Sequence, residues 1–257
     1  MNAGDAPLVE QEQLGVWSRV KRGLADVIFP PTCVHCRSLV ENDSAFRHLC
    51  PRCVAQIDWV RPPHCATCGH PFFGAIEGER ICPHCEGLDP AFRAGCTAVL
   101  FKGPVRSLVI ELKYHRGLHV VRDMAEIFRR APHVLAAVRD GVLVPVPLHA
   151  RKARERGYNQ AELLADALAR AVGGGTRSER LLRRAVDTGT QTALDRRTRL
   201  ANLKNAFALA RGASLNPALH YILVDDVFTT GSTLNSCAQT LRRAGALNVD
   251  VVTFGHG

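Results

Sequence analysis

The sequence predicts an α/β protein in which a doubly wound, mainly parallel sheet follows an N-terminal helix and a cysteine-knuckle module. Three observations carry that prediction. Ile222, Leu223 and Val224 form an unbroken apolar run of the kind buried on both faces of a parallel sheet. From about Phe92 onward, such runs alternate with stretches of helical period, as in strands joined by helical crossovers. Before Phe92, Cys-x-x-Cys pairs dominate.

A chain of 257 residues accommodates one or two domains and buries a substantial core. The expected divisions are a tail and amphipathic helix over 1–30, the cysteine module over 31–91 and the α/β domain over 92–257. No run approaches the roughly eighteen apolar residues of a membrane span. The first dozen residues carry Asp5, Glu10 and Glu12 and no cation, the wrong polarity for a secretory signal, so a soluble cytoplasmic protein is expected. The net charge of +9 is uneven: nine Lys and Arg face eleven Asp and Glu up to Gly95, against 24 and 13 from Cys96 onward. The cations therefore gather in the α/β half, where an anionic ligand is expected.

Taken in order, residues 13–29 read as a helix, because Leu14, Trp17, Val20, Leu24, Val27 and Ile28 recur at helical spacing before Pro30-Pro31 stops it. Packing on its own protein is the expected role. Cys33/Cys36, Cys50/Cys53, Cys65/Cys68 and Cys82/Cys85 follow, and the first two pairs recur 32 positions later in the last two. Each copy reads C-x2-C-x13-C-x2-C, and two thiolate knuckles complete the tetrahedral four-sulfur set that zinc prefers. Two structural zinc ions are expected, with no open position for catalysis. Disulfides compete poorly in a chain without a secretory signal. Sequential pairing of the knuckles is the simpler arrangement, and an interleaved one satisfies the same count. His35, His48, His64 and His84 lie nearby, but complete thiolate sets leave them as bystanders.

In the α/β half a strand is expected over 98–101 and helices over 105–114 and 118–130. A strand over 142–149 is interrupted by Pro145 and Pro147 where a loop should begin. The basic run that follows, with Arg151, Lys152, Arg154 and Arg156, leads into a helix over 159–171 that Gly173, Gly174 and Gly175 end. Residues 183–207 are highly charged with little period and read as a mobile hood. The strand of Ile222, Leu223 and Val224 is expected to end in two carboxylates, Asp225 and Asp226. Thr229, Thr230, Gly231, Ser232 and Thr233 then precede a helix with Leu234, Cys237, Ala238, Leu241 and Ala244 on one stripe. Free amides at that helix start attract a phosphate, and the acids beside it suit hydroxyls or magnesium. A final strand passes through Val249, Val251 and Val252.

The apolar strand, two acids and Thr-Thr-Gly-Ser-Thr loop resemble the phosphoribosyl pyrophosphate (PRPP) signature of type I phosphoribosyltransferases. Together with ELKYHRG over 111–117, VPVPLHARKARERGYNQAELLA over 144–165 and the cysteine module, they make the chain resemble the ComF family of phosphoribosyltransferase-like proteins. That resemblance implies a type I phosphoribosyltransferase fold behind a double zinc ribbon. It assigns Asp225 and Asp226 to ribose hydroxyls and magnesium, and Thr229, Thr230, Gly231, Ser232 and Thr233 to a 5′-phosphate. It further implies that Pro147, Leu148 and His149 line the pyrophosphate, with Arg154 or Arg156 near, and that Gln191, Arg196 and Arg197 close over the ligand. Three functions remain open at this stage. One is transfer of phosphoribose to an undetermined acceptor; a second is PRPP sensing by a nucleic-acid-binding regulator. The third is a competence factor that handles single-stranded DNA beside a helicase-like partner.

Overall fold

The computed structural model describes residues 30–41, 44–72, 74, 82–185 and 206–257. The expected helix over 13–29 and the middle of the expected hood, with Gln191, Arg196 and Arg197, lie outside the described residues.

Seven strands and seven α-helices are described. They are α1 (Pro51–Val54), β1 (Gly95–Leu100), α2 (Gly103–Tyr114), α3 (Val121–Arg129), α4 (Pro132–Ala137), β2 (Val142–Pro145) and α5 (Ala150–Arg156). Then come α6 (Gln160–Val172), β3 (Arg177–Ser178), β4 (Leu182–Arg184), β5 (Phe207–Leu209), β6 (His220–Phe228), α7 (Ser232–Arg243) and β7 (Asn248–His256). Five strands form one all-parallel sheet in the order β1-β7-β6-β2-β3. The expected fold class is the one observed.

Alternation along β6 divides the core. Ile222 and Val224 pack with Leu108 and Leu112 of α2, Met124 and Ile127 of α3 and Leu164 of α6. Leu223 packs on the other face with Leu234, Cys237 and Leu241 of α7. Helices on both faces explain why the strand is apolar at consecutive positions. The open edge of β1 is covered by the linker behind α1: Val60 N donates to Ala98 O and Leu100 N to Asp58 O. That pairing leaves no bare edge there for another chain.

The two cysteine copies repeat in three dimensions. Cys33 N donates to Ser38 O as Cys65 N does to His70 O, and Arg37 N donates to Cys33 O as Gly69 N does to Cys65 O. Arg37 and Gly69 both adopt positive φ, 65° and 77°. The first copy packs on α2 and α3, where buried Asp123 accepts the amides of Arg47 (2.9 Å) and His48 (2.7 Å). The second packs against β1 and α7: Thr97 Oγ1 donates to Cys68 O, while Asn235 accepts from Ala91 N and donates to Asp89 O.

Several local expectations are corrected. The strand does not end at Asp225 and Asp226 but runs to Phe228, because β7 keeps pairing with it, Asp225 opposite Thr253 and Phe228 opposite His256. The basic run after β2 is a helix, α5, started by His149, whose Nδ1 accepts from Arg151 N, and ended by Gly157 at φ 85°. The ends of the expected hood are ordered as an antiparallel pair, Leu182 opposite Leu209 and Arg184 opposite Phe207. Among the described residues no helix is long and apolar enough to cross a membrane.

Candidate active site and metal centres

The chain leaves β2 toward β3 on one side of the sheet and leaves β6 toward β7 on the other, so the crevice between β2 and β6 is the topological switch point. Ligands of open α/β sheets bind outside the carboxyl ends of strands at such a point. Two of the predicted loops open there: 146–149 after β2 and 229–231 after β6. The last β2 pairing is Pro145 with Val224, so residues 225–228 extend beyond β2 with one edge unpaired by it.

Consecutive positions on a strand point to opposite faces. Asp226 shares the face of Ile222 and Val224, and there Lys113, at the end of α2, places Nζ 2.6 Å from Asp226 Oδ2. The contact is ionic rather than an aligned hydrogen bond, since Oδ2 is otherwise buried without a hydrogen-bonding partner. Asp225 faces α7, where burial first and the Asp225 charge second hold the Cys237 thiol well above its usual range. The Asp225 carboxyl is itself pushed well above the usual carboxylate range, by burial first and then by the charge of Asp226, against which the Asp226 amide donates to Oδ1 at 2.8 Å. The two acids are therefore electrically coupled but not a side-by-side chelating pair.

In the next turn Thr229 and Thr230 are exposed and Ser232 and Thr233 half-buried. Gly231 caps α7 at φ 69° and brings no side chain to the cap; Ser232 N donates to Thr230 Oγ1 at 3.5 Å, and the amides that follow it at the start of this 12-residue helix are the ones an anion would meet. Thr230 Oγ1 lies 2.9 Å from Ser232 Oγ. A Cβ at Gly231 would fall 2.7 Å from Phe228 Cζ, so this turn requires glycine by space as well as by φ. The far end of α7 closes as a Schellman turn, with Ala246 N donating to Leu241 O and Gly245 N to Arg242 O.

Pro147, Leu148 and His149 are half-buried at the mouth of the crevice. Arg154 is exposed on α5. Arg156 bonds Gln160 and lies 5.9 Å from the Tyr114 ring, while Arg116 donates to Glu155 O and Tyr158 to Leu112 O. The α5 segment is thereby bolted to the end of α2 that carries Lys113. Lys113 escaped the site prediction, although it lies within the ELKYHRG stretch.

The metal-binding residues fall into two sequential groups, Cys33, Cys36, Cys50 and Cys53, and Cys65, Cys68, Cys82 and Cys85. All ten cysteines are free, and within each group the sulfurs lie within 4.8 Å of one another. Cys36 and Cys50 are 3.5 Å apart, Cys68 and Cys82 3.4 Å, and Cys65 and Cys85 4.0 Å. Tetrahedral zinc with Zn–S near 2.3 Å requires sulfurs about 3.8 Å apart, so both sets fit it. The interleaved pairing is excluded by these distances.

A family described as "Double zinc ribbon domain" matches residues 24–86. Competence protein F of Haemophilus influenzae is 31% identical over 229 residues, covering 85% of this chain and 94% of the relative. The chain belongs to the competence protein F (ComF) family. DNA utilization protein YhgH of Salmonella typhimurium is 34% identical to this ComF chain over 86% of it, and competence protein ComFC of Bacillus subtilis 24% over 83%. Among solved structures, a hypoxanthine phosphoribosyltransferase from Staphylococcus aureus aligns with 52% of the chain and 62% of its own at 12% identity, with a TM-score of 0.35. An allosteric regulatory enzyme of purine biosynthesis aligns with 44% of the chain and 21% of its own at 21% identity, with a TM-score of 0.28.

Proposed function

We propose that this ComF-family chain binds PRPP, or a related sugar phosphate, in the crevice between β2 and β6 and transfers phosphoribose to an acceptor. The observation that carries the reading is the cap of α7, where the starting amides of a helix and four hydroxyls surround Gly231 just beyond two coupled carboxylates. In this reading the 229–233 turn holds the 5′-phosphate, Asp225 and Asp226 hold the ribose hydroxyls, and Pro147, Leu148 and His149 line the pyrophosphate, with Arg154 and Arg156 nearby. The bond from the anomeric carbon to pyrophosphate breaks with its electron pair leaving on pyrophosphate, the acceptor's lone pair forms the new bond, and the acceptor's proton is released. Lys113, its Nζ 2.6 Å from Asp226 Oδ2, holds that carboxylate in place beside the cationic sugar.

Among the described residues the only groups of three or more ligating side chains close enough to share one ion are the two cysteine sets. Asp225 and Asp226 would suit a magnesium ion brought in with the ligand, which would supply charge neutralisation to the leaving group. The same reading divides the chain into a tail over 1–30, a ribbon module over 31–91 and a phosphoribosyltransferase-like domain over 92–257, in a cytoplasmic setting that keeps eight thiolates reduced.

The test is pyrophosphate release from PRPP and magnesium with a panel of nucleobases and nucleosides. Release that depends on one acceptor supports transfer. Binding of PRPP without release across the panel would reassign the site to sensing, and absence of binding would remove the reading.

A second reading, a competence factor that holds single-stranded DNA beside a helicase-like partner, is favoured by the relatives' names and by one cleft. That cleft, of about 750 Å³, is lined by Trp59, Arg61, Arg130 and His133. Aromatic faces beside guanidinium groups bind single strands by stacking and charge. Trp59→Ala should then weaken oligonucleotide binding and leave PRPP binding unchanged.

A further inference from the structure

We propose that the second cysteine set is a structural part of the 229–233 turn and that His256 is the positioning residue that joins them. Metal at Cys65, Cys68, Cys82 and Cys85 then sets how firmly that turn grips an anion, a statement that rests on the PRPP reading only for the identity of the anion.

His256 is the last residue of β7, 2% exposed, and pairs in register with Phe228, the last residue of β6. Its backbone is pinned from both sides: Phe101 N donates to His256 O at 2.7 Å, and Gly257 N to Phe228 O at 3.0 Å. Its Nε2 lies 3.2 Å from Cys68 Sγ. With the proton on Nε2, the ring donates to that sulfur, and Nδ1 is left buried with no protein partner. A tetrathiolate zinc site carries a formal double negative charge, and donors to its sulfurs spread that charge and fix the ligand's direction.

The ring face makes the second connection. It stacks on Phe228, with centroids 5.2 Å apart and planes 15° from parallel. The edge of Phe228 in turn abuts Gly231, where a Cβ would meet Phe228 Cζ at 2.7 Å and Leu88 Cδ2 at 3.2 Å. Leu88 follows the metal-binding residue Cys85 by three positions, and its amide donates to Cys85 O. Two short paths therefore lead from the second set to the cap of α7, one through His256 and Phe228 and one through Leu88. The contacts described for the first copy run elsewhere, from His35 to Ser107 on α2 and from Arg47 and His48 to Asp123 on α3.

The arrangement predicts an asymmetry between the two metals. Loss of metal from the second set should loosen the phosphate turn, and loss from the first should not.

His256→Phe keeps an aromatic ring against Phe228 but removes the donor to Cys68, whereas His256→Gln keeps an N–H donor and removes the ring. In the zinc-loaded full chain, hydrogen exchange at the amides of 228–234 should quicken in both variants, while exchange at 33–53 stays as in wild type. The Kd for PRPP with magnesium, read by calorimetry, should rise roughly tenfold, the lower end for loss of a partner to a metal ligand. Cys82→Ser should quicken the same amides and Cys36→Ser should not; if Cys82→Ser fails to fold, the two His256 variants carry the test. Unchanged exchange at 228–234 in both His256 variants would overturn the proposal, as would equal loosening by Cys36→Ser. Wild-type protein that binds no PRPP would instead defeat the PRPP reading, and the exchange result would stand by itself.

Discussion

Lys113 Nζ lies 2.6 Å from Asp226 Oδ2, joining the last turn of α2 to the open end of β6. The carboxylate side chain is 6% exposed and the lysine 22%, so neither charge has water enough to stand alone. Lys113→Met should therefore cost about 3 kcal/mol, the low end for breaking a buried pair, because an unpaired carboxylate remains in place. Asp226→Asn should cost less, since the lysine keeps part of its hydration. Chemical denaturation of the two variants checks the order, and equal stability of Lys113→Met and wild type would contradict it.

Asp225 gives a pH signature. Burial and the Asp226 charge raise its pKa, so the native state holds a proton that the unfolded chain releases above about pH 3.9. From there up to the raised native value the unfolded state binds fewer protons, and stability falls as pH rises. Asp225→Asn has no such proton to lose. Its melting temperature relative to wild type should increase from about pH 4 toward neutrality. A difference that stays constant with pH would show that Asp225 does not titrate in this way.

Gly231→Ala places a methyl group 2.7 Å from Phe228 Cζ at a φ of 69°. Strained backbone of this kind costs on the order of 1–3 kcal/mol. Calorimetry and thermal unfolding together should show weaker PRPP binding with a modest loss of stability, whereas wild-type affinity would mean that the turn is not the anion cradle.

Metal analysis of protein purified without added zinc should give two ions per chain. Cys50→Ser should retain one, because the second set shares no ligand with the first. The first ribbon should unfold in that variant, since such a site folds on its metal. A wild-type stoichiometry of one or zero would refute the double site.

The sheet and both cysteine sets were legible because their signals are local: an apolar run for β6, and a motif repeated after 32 residues for the ribbons. The turn after β6 was readable too, since a glycine before an amphipathic helix marks where the strand gives way to it. The extension of β6 through two acids was not, because backbone pairing with β7 holds them in a strand that their side chains alone would end. Lys113 and His256 were hidden for another reason. Each acts through a partner far away in sequence, Asp226 in one case and Cys68 in the other, and no local period reports such a contact. Three helices have signals that the sequence reading does not use: Pro51 and Pro132 open α1 and α4 at their first positions, and Gly157 closes α5 in the left-handed region. In α5 the cations of 151–156 are good helix formers as well as charges.

Calorimetry with PRPP, with and without magnesium, asks whether the cap of α7 and the acids beside it bind PRPP. Wild-type protein should bind with an affinity that magnesium strengthens. Thr230→Ala should keep the magnesium dependence and lose about 1–3 kcal/mol of binding, the scale of hydrogen bonds to a charged group. Asp226→Asn should lose much of the magnesium dependence. PRPP binding at wild-type affinity by a folded protein carrying both substitutions would contradict the account.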